Sequence, residues 1–223
     1  MAQITLVPTP IGHLEDITLR ALRTLREADL IAAEDTRTSG VLLKHHGIDT
    51  PQTALHQHNE HQKVPALLDR LQAEALHLAV ISDAGTPGIS DPGFLLVRAA
   101  IERGIRIETL PGAVALVPAL VSSGLPCDRF VFEGFLPLKK GRQTRLQQLA
   151  ADARTVVLYE SPHRLGKTLA QLAEHFGPER PACVSRELTK LHETHHRGSL
   201  AELQAHFSSQ PPKGEIVICV GGT

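Results

Sequence analysis

The chain has 223 residues, of which 42% are hydrophobic and 21% charged, and its formal net charge is −1. That is the make-up of a soluble globular protein with room for one large core or two smaller α/β cores, and its near-neutral balance excludes a global electrostatic pull on nucleic acid. Aromatic residues are only 3% and tryptophan is absent, which argues against a base-stacking platform for single strands.

In chain order, the N-terminus MAQITLVPTPIG lacks the basic start of a signal peptide. A strand at Ile4–Pro8 leads into the loop Pro8-Thr9-Pro10-Ile11-Gly12-His13-Leu14-Glu15-Asp16, and Asp16 is read as the cap of a helix over Asp16–Glu27. A strand at Leu30–Ala33 ends on Glu34-Asp35, followed by a weaker helix at Thr38–His46. Next come a strand at Thr53–His56, a helix at His61–Ala75 and a strand at Leu78–Ser82. The loop ISDAGTPGISDPG then precedes a helix at Gly93–Arg103, with Asp91-Pro92 read as N-cap and first helical position. A strand at Arg106–Leu110, the turn Leu110-Pro111-Gly112-Ala113 and a helix at Ala113–Ser123 close the first half.

Gly124-Leu125-Pro126 marks the expected domain boundary, giving an N-terminal α/β domain over 1–124 and a C-terminal one over 125–223. The second half carries strands at Arg129–Glu133, Thr155–Tyr159, Ala182–Arg186 and Glu215–Val220, with helices at Arg142–Ala151, Arg164–Phe176 and Ser199–Phe207. This rhythm predicts an α/β fold of two domains, a parallel N-terminal sheet and a mixed C-terminal one, with helices on both faces. The longest apolar stretch, Ala113 to Val121, falls far short of the roughly 20 residues of a membrane span. Cys127, Cys183 and Cys219 are far apart and form no CxxC pair, so no disulfide framework or thiolate zinc site is expected, and a cytoplasmic, reducing compartment fits.

Three Gly/Pro loops follow strands one, four and five, and in a parallel sheet such loops gather at the carboxyl edge, where ligands bind. Read singly, each is equally a tight turn. The long loop has neither Gly-Lys-[Ser/Thr] nor GxGxxG. Asp83 and Asp91 flank it, and they would repel a polyphosphate. The glycines therefore admit a ligand close to the backbone, and the acids say that it is not a polyanion.

The blocks VPTPIGHLEDITLRALRTLREADLIAAEDTR, HNE, SDAGTPGISDPG, LPGAVA, DRFVFEGFLP, YESPHRL, RELTKLHE and KGEIVICV occur in the order found in a known family. The chain resembles the ribosomal RNA small subunit methyltransferase I family, of the tetrapyrrole-methylase-like class of S-adenosylmethionine (SAM) methyltransferases. The resemblance implies a two-domain homodimer with SAM in a cleft between the domains. It also implies 2′-O-methylation of a cytidine ribose in 16S rRNA, at the decoding region of the small ribosomal subunit. SAM has a sulfonium and an ammonium but no phosphate, in keeping with acidic loops. Carried over by motif, the cofactor contacts are Pro10, Asp83, Gly85, Thr86, Pro87, Ile89, Val114 and Ala115, with Tyr159, Glu160, Arg186 and Glu187 closing the cleft. His13 stands where the family usually has Asn, and Ala113-Val114 where it has Pro-Ser or Pro-Cys. The family also usually continues into a small basic helical domain past the position of Thr223, so RNA affinity from such a domain is expected to be absent or replaced.

A ribose hydroxyl is a poor nucleophile, and a base within hydrogen-bond reach would help remove its proton. The charged candidates are Glu34, Asp35, Arg37, Glu60, Glu133, Arg186, Glu187 and Lys190. Asp35 is favoured as base or orienter beside Glu34 and Glu187, and Arg37 as a phosphate contact. Helix capping by Glu34-Asp35 and an ion pair at Arg186-Glu187 are the plainer alternatives. Lys139-Lys140-Gly141-Arg142-Gln143-Thr144-Arg145 holds four cations in seven residues, either a phosphate-tracking loop that positions RNA or a solvated turn. His192-Glu193-Thr194-His195-His196 matches the HExxH of zinc peptidases, a motif that needs a helix. Because Ser199 reads as the cap of a new helix, this remains a remote alternative and no metal is expected. His56, His58 and His61 read as surface histidines. A corrin or porphyrin precursor methylase is the nearer rival, although TPIGHLED departs from the GxGPGD loop of those enzymes. A non-catalytic SAM- or RNA-binding module is the third.

Overall fold

The apolar runs of the first half become five short parallel strands. A computed structural model describes residues 1–223 and divides into two units, Met1–Val114 and Ala115–Thr223. In the first, β1 (Gln3–Leu6), β2 (Leu30–Ala33), β3 (Gln52–Ala54), β4 (His77–Ile81) and β5 (Arg106–Thr109) form one sheet in the order β3-β2-β4-β1-β5. Every pairing is parallel. Strands buried on both faces read as continuous apolar runs, and LIAA of β2 is buried at all four positions. On one face Ile4, Leu30, Leu78 and Val80 pack with Leu68 of α3 (Glu60–Glu74) and Leu96 of α4 (Phe94–Glu102). On the other, Ile31, Ala79 and Ile81 pack with Leu25 of α1 (Leu19–Glu27) and Leu43 of α2 (Thr36–His45). The cap of α1 is Thr18, whose hydroxyl accepts from Ala21 N, whereas Asp16 lies in a preceding 3₁₀ turn, Leu14–Asp16.

The second unit starts with α5 (Leu116–Ser123) and contains β6 (Phe130–Phe135), α6 (Arg142–Ala150), β7 (Thr155–Glu160), α7 (Leu165–Phe176), β8 (Pro181–Arg186), β9 (Thr194–Ser199), α8 (Leu200–Ser209) and β10 (Ile216–Val220). Its sheet runs β6-β7-β10-β8-β9, parallel between β6 and β7 and antiparallel elsewhere, hence mixed. One face buries Val156, Leu158, Val184 and Ile218 beneath Leu146, Leu169 and Leu203 of α6, α7 and α8. The other carries α5, packed over β7, β8, β9 and β10. Because the apolar face of α5 (Leu116, Ala119, Leu120 buried) lies on this sheet, the division falls before the helix, not at Gly124 where the sequence places it.

Sequence patterning misses β9, since THHRGS has no apolar alternation. Its backbone nonetheless pairs with β8 from Pro181↔Ser199 to Arg186↔Thr194. The HExxH residues therefore occupy a turn and a strand. His195 hydrogen-bonds Ser185 at 2.9 Å while His196 stacks on His206 at 4.5 Å, so no shared helical face exists and the zinc-peptidase alternative is removed. No helix is long and apolar enough to cross a membrane.

Leu158, fully buried in the centre of β7, sets the scale of this core. Leu158→Ala should cost about 2–5 kcal/mol, as cavity-forming changes do, read as a lower urea midpoint.

Candidate active site

Because β1 lies between β4 and β5 and all three are parallel, the loops that follow them leave one edge of the sheet together. They are also laced to one another. Thr9 N donates to Gly85 O at 2.9 Å and Gly85 N to Thr9 O at 3.0 Å, a two-residue antiparallel bridge between the first and the long loop. The Thr9 hydroxyl donates to Ser82 O at 3.1 Å, and the Thr86 hydroxyl to Ala113 O at 2.9 Å, which brings in the loop after β5. Gly85 has φ +86°, a backbone region costly for other residues. A Cβ on Gly112 would lie 2.5 Å from Pro8 Cβ, so only glycine lets the outer loops close on the first. Pro10 and Pro87 are buried in this lacing, Ile89 is 37% exposed, and Val114 ends the unit. Ala115 is the N-cap of α5. None of these loops contains Lys or Arg.

The edge is acidic, and its carboxyls are not equivalent. Burial, followed by the charges of Glu34 and Asp83, holds the Asp91 carboxyl up at about 7 against its ordinary 3.8. Glu34 is raised by burial and by Asp83, and Asp83 by burial and by Asp35. Asp35 goes the other way. It caps α2, accepting from Arg37 N at 2.8 Å, and takes the Arg37 guanidinium through Nε at 3.1 Å and Nη2 at 2.7 Å. These bonds hold its carboxyl down at about 2. A carboxylate so committed is a poor proton acceptor, and Asp35 is corrected from base to helix cap. Arg37, although its side chain is 89% exposed, spends its fork on Asp35.

Asp91 is the residue that sequence reasoning misassigned, because a remote side chain performs the capping expected of it. The N-cap of α4 is Gly93, at φ 130°, which has no side chain to offer. Glu60, 4% exposed, reaches across instead, its Oε1 accepting from Gly93 N at 3.1 Å and Leu96 N at 3.3 Å. Glu60 of the HNE block thus clamps the far end of the long loop and is not a candidate base. Asp91 is left with a half-buried carboxyl beside Glu34, free of the helix terminus and held only by a hydrogen bond from Ser82 that lowers its pKa less than burial raises it.

In the second unit, several expected site residues hold structure. Glu160 is 3% exposed, with Oε1 taking Ser161 N at 2.7 Å and Arg164 at 2.6 Å, and Oε2 taking the Thr168 hydroxyl at 2.6 Å. This buried charge is satisfied at the start of α7, so the Glu160 carboxylate anchors that helix. Arg142, 6% exposed, donates to Gln171 at 2.8 Å, Pro137 O at 3.1 Å and Thr168 at 2.7 Å, and so leaves the cationic loop. Arg145 forks onto Glu133, which occupies both groups. Lys139 and Lys140 remain exposed. Arg186 donates to the backbone of His192 and Lys213 at 3.1 and 3.2 Å. Burial pushes the Glu187 carboxyl up, but hydrogen bonds from Glu215 N and Lys190 outweigh it and leave it below the usual range. Its ion pair is with Lys190, at 3.1 Å, and not with the neighbouring Arg186. Tyr159 packs on Phe132 and Phe135, centroids 5.0 and 5.8 Å away. His56 and His58 are ring neighbours at 6.0 Å, with His56 bonded to Asn59.

A parallel unit with laced, cation-free loops followed by a mixed-sheet unit defines a class of methylases. Residues 3–204 match the Tetrapyrrole (Corrin/Porphyrin) Methylases, and the chain belongs to that family. A uroporphyrin-III C-methyltransferase from Thermus thermophilus, complexed with S-adenosyl homocysteine, shares the fold at TM-score 0.68 and 20% identity, over 97% of this chain and 96% of that one. Among sequences, the "Ribosomal RNA small subunit methyltransferase I" of Synechocystis sp. is 53% identical over 223 residues, which is 100% of this chain and 80% of the relative. The protein of that name from Escherichia coli O157:H7 is 50% identical, over 99% of this chain and 78% of the relative.

Asp91 gives the site a signature in stability. Its raised pKa means that between about pH 4 and pH 7 the native state keeps a proton that the unfolded chain has released. Stability is therefore lost as pH rises through that window. Asp91→Asn removes the effect, so its gain in urea midpoint over wild type should grow from about pH 4 to pH 7 and level off above.

Proposed function

We propose that this chain uses SAM to methylate the 2′-hydroxyl of a cytidine ribose in 16S rRNA, at the decoding region of the small ribosomal subunit. Relatives at 53% and 50% identity whose names state ribosomal RNA methylation support the substrate class. The observation that carries the donor is the set of three Gly/Pro loops: backbone groups and carboxylates, with neither Lys nor Arg among their residues. That donor set suits a sulfonium and an ammonium and opposes a nucleotide polyphosphate. The chain's resemblance to the ribosomal RNA small subunit methyltransferase I family supports the finer assignment, and with it a cytoplasmic homodimer.

SAM, when bound, supplies an electrophilic methyl group on positively charged sulfur. In this reading the chain's own residues do the rest. Gly85, Thr86 and Pro87 of the long loop and Pro10 of the first hold the donor against main chain, and Asp83 and Glu34 favour its cationic groups by charge. Asp91, not Asp35, accepts the hydroxyl proton, since a base works best with a pKa near the working pH. Transfer then depends on alignment of hydroxyl and methyl, a positioning task for a rigid edge. Lys139 and Lys140 meet RNA phosphates and orient the strand without reading its sequence.

Labelled SAM incubated with undermethylated small subunits should leave the label in a 16S rRNA ribose. Label in a tetrapyrrole precursor, or in nothing, rejects the assignment. In the same assay wild-type kcat should climb with pH through about 7. Asp91→Asn should lower kcat by about 100-fold, lose that limb, and bind SAM as before. Charge reversal at Lys139 and Lys140 should raise the KM for RNA by about tenfold at low salt with no change in SAM affinity.

A further inference from the structure

The scarcity of aromatic residues hides where they sit. Of six phenylalanines and one tyrosine, Phe130, Phe132, Phe135 and Tyr159 lie on the adjacent strands β6 and β7. A β-bulge sets three of these rings on one face. Phe132 faces Val157, Gly134 faces Leu158 and Phe135 faces Tyr159, so Glu133 is an extra residue in the strand. In a strand of the same sequence without a bulge, strict alternation would send Phe135 to the opposite face, toward the core that holds Leu158. The bulge keeps Phe130, Phe132 and Phe135 on the side of Val157 and Tyr159.

That row is incompletely covered. Phe135 is 52% exposed and Phe130 38%, although large aromatic rings are what cores normally enclose. The Arg164 guanidinium lies 5.9 Å from the centre of the Phe135 ring, and its Nε is shielded from solvent without an acceptor. Lys139 and Lys140, both exposed, follow Phe135 by a few residues. The acids nearby are neutralised, Glu133 by Arg145 and Glu160 by Arg164. Flat rings beside two exposed lysines, with every nearby acid already paired, match the two faces of a nucleic-acid strand: bases that stack and phosphates that need positive charge.

We propose that the Phe130–Phe132–Phe135 row is a stacking platform for unpaired bases of an RNA strand, with Arg164, Lys139 and Lys140 against its phosphates. This rests on the RNA-methylation reading and specifies how the second unit takes hold of that substrate. A nucleobase could also come from SAM itself, and a second copy of the chain could cover the rings, so the test separates all three.

Binding of a fluorescein-labelled oligocytidine and of an abasic oligomer of equal charge is measured for wild type, Phe135→Ala and Phe135→Trp, with melting temperatures confirming folding. Phe135→Ala should weaken oligocytidine binding by about tenfold and Phe135→Trp should retain it, the range expected for one stacked base. The abasic oligomer and SAM should bind all three proteins equally. Equal oligocytidine affinity across the three overturns the platform. So does a loss of SAM affinity, which would assign the rings to adenine, or a change in oligomeric mass with RNA affinity intact. If wild type binds oligocytidine through Phe135 yet transfers no methyl group to rRNA, the platform stands and the proposed activity falls. The reverse result sinks only the platform.

Discussion

Two backbone hydrogen bonds between Thr9 and Gly85 hold together loops that come from strands far apart in sequence, and the geometry of the first unit's edge follows from them. They can form only because β1 is threaded between β4 and β5 in a parallel sheet, so that three chain exits emerge side by side. With those exits fixed, Gly112 must lack a side chain to clear Pro8, and Thr86 can reach Ala113 O. The far end of the long loop is held separately, by the Glu60 carboxylate at the first turn of α4. Such an edge is rigid at both ends. This is what an alignment-limited reaction requires, since misplacement of a reacting group by about an ångström is costly.

The same edge concentrates carboxyls where burial and mutual repulsion disfavour their charges. Evolution could have relieved this with one lysine, and the loops contain none. A site that would be more stable without its charge is a common mark of function, because stability and activity make opposed demands on the same side chain. Asp35 shows the contrast within a few residues. Its carboxyl is fully engaged by Arg37 and the start of α2, and it contributes order in place of proton transfer.

Much of this was legible in sequence where the governing physics is local. LIAA is apolar throughout because its strand is covered on both faces, and its bounds as read are those observed. The loops announced themselves through Gly and Pro, and their common edge through the βα rhythm. What was illegible is non-local. Asp91 looked like a helix cap because nothing in its neighbourhood reveals that Glu60, 31 residues upstream, fills that role. Arg142 looked like part of a cationic loop because its acceptors, Thr168 and Gln171, lie on another helix. Strand β9 has no apolar alternation to read, and the helix α5 was assigned to the first domain because its partner sheet comes later in the chain.

The bulge at Glu133 and Gly134 also constrains how this strand can vary in length. Removing one residue there would abolish the bulge and restore strict alternation, with Phe132 still opposite Val157, Gly134 opposite Leu158 and Phe135 opposite Tyr159, each on its present face. Removing two would take a paired residue as well and reverse the parity of everything downstream, turning Phe135 inward and Leu136, now buried, out to water. Tolerance of deletions in this segment should therefore alternate between odd and even, an arithmetic imposed by the pleat and indifferent to which side chains are lost.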